Sequence, residues 1–300
     1  MQRPAGAPRQ CWVRARPEGT APAARCSHTA TLVGGRYLFI IGGGYAGSGG
    51  AFRHLSCVHR LDMRTLRWER SLDVGASFPA RRGHSASLHE ASQRVVVFGG
   101  TAGGVSEAGS LNDLWLLHVA DVDQVRWESG AAAAGAWPRP RRGHGAEILP
   151  CAERGDVMLV FGGYLAPDPT ELGGAAFGAI RTHADYFAWL YGPDTLMHVL
   201  RLSGQLRWEG VELRGSPLRA LALSAYCLLN GAAVAVFGGT ELVDDAAADG
   251  SGVTDIATTA RLWTFGVEMP GGSMGLQAGG DTPSPSLKLY LSIPSNYIYI

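Results

Sequence analysis

The phrase Val97-Phe98-Gly99-Gly100 returns as Val160-Phe161-Gly162-Gly163 and Val236-Phe237-Gly238-Gly239, with a looser copy at Ile40-Ile41-Gly42-Gly43. Each glycine doublet ends an apolar run. Three of the four follow a short basic start: Arg25-Cys26-Ser27-His28, Arg82-Gly83-His84 and Arg142-Gly143-His144. Three are followed by a tryptophan between charges, in Arg67-Trp68-Glu69, Arg126-Trp127-Glu128 and Arg207-Trp208-Glu209. Self-similarity at a long, nearly fixed period is the mark of a repeat architecture, and it restricts the fold more than any single motif does.

One repeat, residues 82 to 127, shows what each unit is. Gly83 to Leu88 alternates small and apolar residues, and His89 to Gln93 makes a polar turn. Arg94-Val95-Val96-Val97-Phe98 is a β-branched and aromatic run closed by the glycines, a strand signature. Asp113 to Val119 supplies a third strand and Val125 to Glu128 a fourth. Four short antiparallel strands make one propeller blade. The doublet stands where a strand leaves the sheet and the backbone needs positive φ or close approach without a Cβ. The tryptophan of the outer strand covers the blade face.

Taken together, the basic start with its histidine, the Gly-Gly doublet, the apolar third strand and the closing Trp resemble the kelch repeat. The resemblance spans roughly residues 11 to 266. It implies an all-β, kelch-type β-propeller of about four recognisable four-stranded blades. The repeats run approximately over 25–68, 82–127, 142–208 and 219–265, after a disordered tail at 1–10 and before an irregular tail at 267–300.

The copies are unequal. The third carries an insertion of about thirty residues, Tyr164 to Pro193, which is long for a loop inside a compact domain. The fourth starts Arg219-Ala220-Leu221-Ala222, without glycine or histidine, and no closing Trp follows Leu262-Trp263-Thr264-Phe265. Trp12 precedes His28 by the same interval that separates Trp68 from His84, which places Trp12 on an outer strand. Kelch-like rings have six or seven blades, so the expectation is an incomplete ring, a partial propeller from a longer product, with sheet edges to cover.

Formal net charge is +0 and charged residues make up 17% of the chain, without the basic surplus that nucleic acid or an anionic membrane requires. Arg81-Arg82 and Arg141-Arg142 are local exceptions that recur at blade starts. The 5 cysteines form no Cys-x-x-Cys pair, no signal peptide is legible, and no run of eighteen apolar residues exists. Free thiols in the cytoplasm, or in the nucleus, are the expectation.

Candidate chemistry is weak. His28, His84 and His144 fall at equivalent positions and could ring a channel, but each is better read as satisfying a backbone group beside its turn. In the cluster His54, Cys57 and His59, alternation puts the last two on one strand face and His54 on the other, which disfavours a zinc site. The Gly-rich stretch from Gly42 to Gly50 lacks the ending of a phosphate loop, and Asp244, Asp245 and Asp249 miss the EF-hand spacing. Propeller oxidases hold copper with Tyr and His, and kelch-like specifier proteins carry a Glu-x-x-x-Asp-x-x-x-His; no such ligand set is found, so a metal enzyme is the disfavoured alternative. No catalytic residue and no cofactor is expected.

The expected function is protein–protein interaction by rigid display of loops. The expected partner-facing residues are Arg81, Arg82, Arg141 and Arg142 at blade starts, with Tyr186, Phe187 and Trp189 in the insertion. Four aromatics lie within His183 to Tyr191, the composition of an anchor patch; the spacing of Tyr186, Trp189 and Leu190 equally suits a short helix that buries them. The start at Cys11-Trp12 and the linker Ala21 to Arg25 also resemble the kelch regions of F-box adaptors, which implies substrate recruitment to a ubiquitin ligase.

Overall fold

The runs that alternate small and apolar residues, and those that are apolar throughout, become strands whose two faces are both buried. In the computed structural model, Val95, Val97 and Leu117 turn to one side of their blade and Val96, Phe98 and Leu116 to the other, and all are at most 1% exposed. Period-two side chains thus give each blade two apolar faces, one for each neighbour. The structure describes residues 14–47, 52–69, 78–102, 109–150, 155–165, 197–210, 221–222, 224–229, 233–238, 240–244, 254–258 and 262–266.

Four sheets follow one another along the chain. The first blade is built from Thr29–Val33, Tyr37–Ile41, Val58–Asp62 and Arg67–Trp68. The second uses Ser85–His89, Arg94–Thr101, Ser110–His118 and Arg126–Ser129. The third uses Gly145–Leu149, Val157–Phe161, His198–Arg201 and Arg207–Gly210. The fourth shows three strands, Ala225–Leu229, Ala233–Phe237 and Leu262–Gly266, and no closing strand among the described residues. The molecule is an all-β kelch-type propeller of four blades in an incomplete ring. No helix among the described residues is long and apolar enough to cross a membrane.

The blades meet along their innermost strands. Thr31 Oγ1 donates to the Ala86 carbonyl at 3.2 Å, and Ser87 Oγ donates to the Ala146 carbonyl at 3.0 Å, so corresponding hydroxyls join first to second and second to third blade. Outside them lie the three interblade cores. Val33, Phe39 and Ile41 pack on Val95, Val97, Leu117 and Trp127. Val96, Phe98 and Leu116 pack on Val160, Leu200 and Trp208. Leu159, Phe161 and Val199 pack on Val234 and Val236. The closing tryptophans are buried as expected, although the indole N–H of Trp127 and of Trp208 meets no acceptor among the described residues.

The blade edges hold strands that the sequence reading did not name. Trp12 lies outside the described residues, and the outer edge of the first blade is formed by Glu18–Gly19, parallel to Arg67–Trp68. Ala134–Gly135 does the same for the third blade, parallel to Arg207–Trp208. In the first and third blades the entering chain therefore supplies a fifth strand. The Gly-rich stretch is not plain loop either: Gly44–Ala46 pairs with Phe52–His54 as a hairpin.

Candidate interaction surface

Each blade begins with a turn through which the chain passes from one blade to the next. Backbone bonds run across it in series: Gly143 N–H donates to the Gly83 carbonyl at 2.8 Å, and Gly83 N–H to the Ser27 carbonyl at 2.8 Å. All three residues are left-handed, with φ of 53° at Ser27 and 63° at Gly83 and Gly143, which explains the recurrent glycine. At Gly99, φ is 62°, and a Cβ would run into the Arg141 carbonyl and the His144 ring of the following blade. Here the doublet is demanded by conformation and by space together.

The arginine three residues before each histidine is an internal post. Arg25, Arg81 and Arg141 are 5%, 0% and 0% exposed. Each donates through Nη1 to the carbonyl of the first doublet glycine of its own blade: Gly42 at 3.0 Å, Gly99 at 2.9 Å and Gly162 at 3.1 Å. Each also returns Nε to the carbonyl two residues earlier, at Ala23, Pro79 and Arg139. The remaining contact comes from the third strand. Arg81 forms a two-pronged ion pair with Asp113, at 2.6 and 2.7 Å, and Arg141 meets His198 Nε2 at 3.2 Å. The expectation that Arg81 and Arg141 face a partner is therefore corrected: their guanidinium groups are consumed inside the blade, where hydrogen bonds and an ion pair offset the loss of water.

The second arginine of each pair lies at the rim. Arg82 bridges Thr101 across the turn, and its half-buried guanidinium stacks on Phe52 of the preceding blade, 4.5 Å from the ring centre. Its Nε donates to His54 Nε2 at 3.2 Å. That bond requires an unprotonated Nε2, and burial first, then Arg82, lowers His54 below its usual value. Arg142 pairs with Tyr164 across the turn and lies 5.4 Å above the Tyr164 ring. Tyr45 is 37% exposed on the same hairpin as Phe52 and His54, and Arg53 between them faces solvent. The surface is one of guanidinium groups seated on aromatic rings, held by strand ends. Tyr186, Phe187 and Trp189 lie outside the described residues; the start of the insertion, Tyr164–Leu165, is a strand against Arg141–Arg142.

Sequence reasoning missed Phe52, His54, Tyr45 and Tyr164 as parts of this surface. The available signal was the alternation Phe52-Arg53-His54 after a glycine-rich turn, which marks a hairpin arm with an outward arginine. The three equivalent histidines do more than the sequence reading gave them. His84 Nε2 hydrogen-bonds Thr29 Oγ1 at 3.1 Å and His144 Nε2 hydrogen-bonds Ser85 Oγ at 3.0 Å, each a hydroxyl of the preceding blade, and His144 also meets the Phe98 backbone. His28, at the front of the series, is 1% exposed, and neither ring nitrogen has a partner among the described residues. Of the suspected ligand cluster, Cys57 and His59 turn to Arg25 and His54 turns to Arg82; His54 ends the hairpin strand Phe52–His54, whereas His59 belongs to Val58–Asp62, so separate sheets rather than alternation along one strand part them. Among the described residues no three His, Cys, Asp or Glu side chains gather as metal ligands.

The chain matches the KLHDC2/KLHL20/DRC7 Kelch-repeats domain over residues 7–174 and 49–264. It is 26% identical over 234 residues to Kelch domain-containing protein 3 of Rattus norvegicus, covering 76% of this chain and 51% of that protein. Over 152 residues, 51% of this chain, it is 33% identical to Multiple epidermal growth factor-like domains protein 8 of Mus musculus and 32% identical to Acyl-CoA-binding domain-containing protein 4 of Arabidopsis thaliana. The chain spans only 5% and 20% of those two proteins. Among solved structures, that of YjhT superposes with a TM-score of 0.52 at 15% identity, over 80% of this chain and 68% of the other, a likeness of fold. Repeated glycine doublets, interblade histidines, closing tryptophans and a family match that covers nearly the whole repeat region lead to one statement: this chain belongs to the kelch-repeat family.

Proposed function

We propose that this chain is a protein–protein interaction scaffold whose partner surface is the blade-start rim, centred on Arg82 and Arg142. The kelch family is in general one of protein-binding propellers. The observation that carries the assignment of the rim is the division of labour within each arginine pair: the first arginine is sealed in the blade, and the second is half-exposed on an aromatic ring. Stacking restricts the rotamers of Arg82 before any partner arrives, so less ordering is required at binding. Rings with a neighbouring cation form the type of anchor that concentrates binding energy at interfaces, and a segment bearing carboxylates suits them. The inserted Tyr186, Phe187 and Trp189 extend the same surface in this reading, and substrate recruitment within a ubiquitin-ligase-type adaptor is the biological role it suits.

The test is affinity capture followed by mass spectrometry, comparing the native chain with Arg82→Ala/Arg142→Ala and with Tyr186→Ala/Trp189→Ala. Circular dichroism checks that each variant is folded. A partner retained by the native chain and lost by a folded arginine variant is expected. If both folded variants retain the same proteins as the native chain, the rim is not the contact surface.

A further inference from the structure

The three internal arginine posts differ in the charge they meet. Arg81 has the Asp113 carboxylate. Arg25 makes the same two carbonyl bonds as Arg81, but Cys57 occupies the place of Asp113: Arg25 Nη1 lies 3.0 Å from the Gly42 carbonyl and 3.1 Å from Cys57 Sγ. The strand registers agree, since Ile40 pairs with His59 and Val97 with Trp115, two residues beyond Cys57 and Asp113 respectively. Among the described residues no carboxylate reaches Arg25, although it is only 5% exposed. His59 is turned to the same guanidinium, Nε2 to Nη2 at 3.4 Å. It is 9% exposed, its Nδ1 has no hydrogen-bond partner among the described residues, and burial first, then Arg25, lowers its pKa below the usual 6.5. Among the described residues the pocket thus holds a buried cation, the His59 imidazole and a thiol, and no anion.

We propose that Cys57 is an oxidative modification site, at which a peroxide converts the thiol to a sulfinate that pairs with Arg25 as Asp113 pairs with Arg81. Two equivalents of peroxide are consumed. In each step the sulfur attacks one peroxide oxygen, the O–O bond breaks and an S–O bond forms. The departing oxygen takes up the proton released from the thiol, and in the second step the proton released from the sulfenic acid, and leaves as water. Sulfur loses two electrons each time and the peroxide gains them. The sulfinic acid so formed gives up its proton to water, and the product then carries two oxygens on one centre and a negative charge, the features with which a carboxylate engages a guanidinium in two-pronged fashion. Cys57 is half-buried, so a small peroxide has access to it while the product charge remains beside Arg25.

The experiment treats the full chain with graded hydrogen peroxide, follows each cysteine by peptide mass spectrometry, and records melting temperature in parallel. Cys26 and Cys227 are the internal controls, since both are half-buried thiols and the Cys26 thiol turns to the Gly44 carbonyl. Cys57 is expected to gain two oxygens before either control, and the melting temperature to rise by about 3 °C or more as it does. Cys57→Asp is expected to produce that rise without peroxide, and Cys57→Ser to produce none. Oxidation of Cys57 no faster than that of Cys227 overturns the proposal. So does a Cys57→Asp chain that melts no higher than Cys57→Ser.

Discussion

Two glycines of this chain share a conformation and differ in what surrounds them. At Gly83 an added Cβ would meet only ordinary contacts, and Ser27 already carries a side chain at the corresponding place. At Gly99 the same Cβ would strike the Arg141 carbonyl. Gly83→Ser is therefore expected to cost about 1 kcal/mol, the usual penalty of a left-handed non-glycine residue. Gly99→Ser adds a collision with backbone and is expected to cost at least about 2–3 kcal/mol more in urea unfolding. The arginine pairs hold a second lesson of this kind. Asp113→Ala leaves the Arg81 guanidinium, 0% exposed, with carbonyls alone, and a loss of about 3 kcal/mol is expected. Arg-Arg was legible in the sequence as a recurrent local charge, but not which arginine faces inward. The dipeptide is the same at 81–82 and 141–142, and the choice is made by the cross-turn pairing of the second residue and by a distant third-strand partner of the first, Asp113 for Arg81 and His198 for Arg141.

Strands read as strands here because their apolar runs are bounded by glycine doublets and polar turns; what could not be read was which strand edges meet. The hydroxyl series Thr31, Ser87 and the imidazole series His84, His144 act between blades, so their partners lie 55 to 59 residues apart in the chain. Burial, and next to it Arg25, lowers His28 to about 4; burial and Arg141 lower His144 to about 3; His84 is held well below 6.5 by burial and then Arg81. Their folded values lie below the unfolded 6.5, so the unfolded chain takes up protons first as the pH falls. The stability they contribute is complete above about 6.5 and drains away toward about 4 and 3. Glu147, at the register of Thr31 and Ser87 on its inner strand, behaves in the opposite sense: burial raises it from 4.5 to about 7, and its contribution is lost as the pH rises through that interval. Urea midpoints measured across pH are expected to show both limbs. His144→Gln should flatten the acid limb and Glu147→Gln the upper one. At the outer strand, Trp208→Ala empties the core shared with Phe98 and is expected to cost about 3–5 kcal/mol.

As a whole, the molecule is a series in which each blade is held by its neighbours, and the series weakens toward its end. Phe98 and Phe161 are 0% and 4% exposed under the following blade, whereas Phe237 at the same register is 49% exposed. In the fourth blade Ser224 stands where His84 and His144 stand in theirs, and its buried hydroxyl has no partner among the described residues. In a nearest-neighbour array such a unit opens first. Amide exchange is expected to be faster in Ala225–Leu229 and Ala233–Phe237 than in Arg94–Thr101, and equal protection would show that the arc unfolds as one body. That inequality was partly legible: the fourth repeat lacks its glycine, histidine and closing tryptophan in the sequence itself. Its true start was not, because Arg219 suggests a register two residues away from the one in which Ala225 pairs with Phe237. The parallel strands Glu18–Gly19 and Ala134–Gly135 bear on how such a chain can be divided. The stretch that looks like a spacer between two blades is the outer hem of the second of them. A third blade excised from Arg141 onward would bare the edge of Arg207–Gly210, and one excised from just after Ser129 would keep it covered.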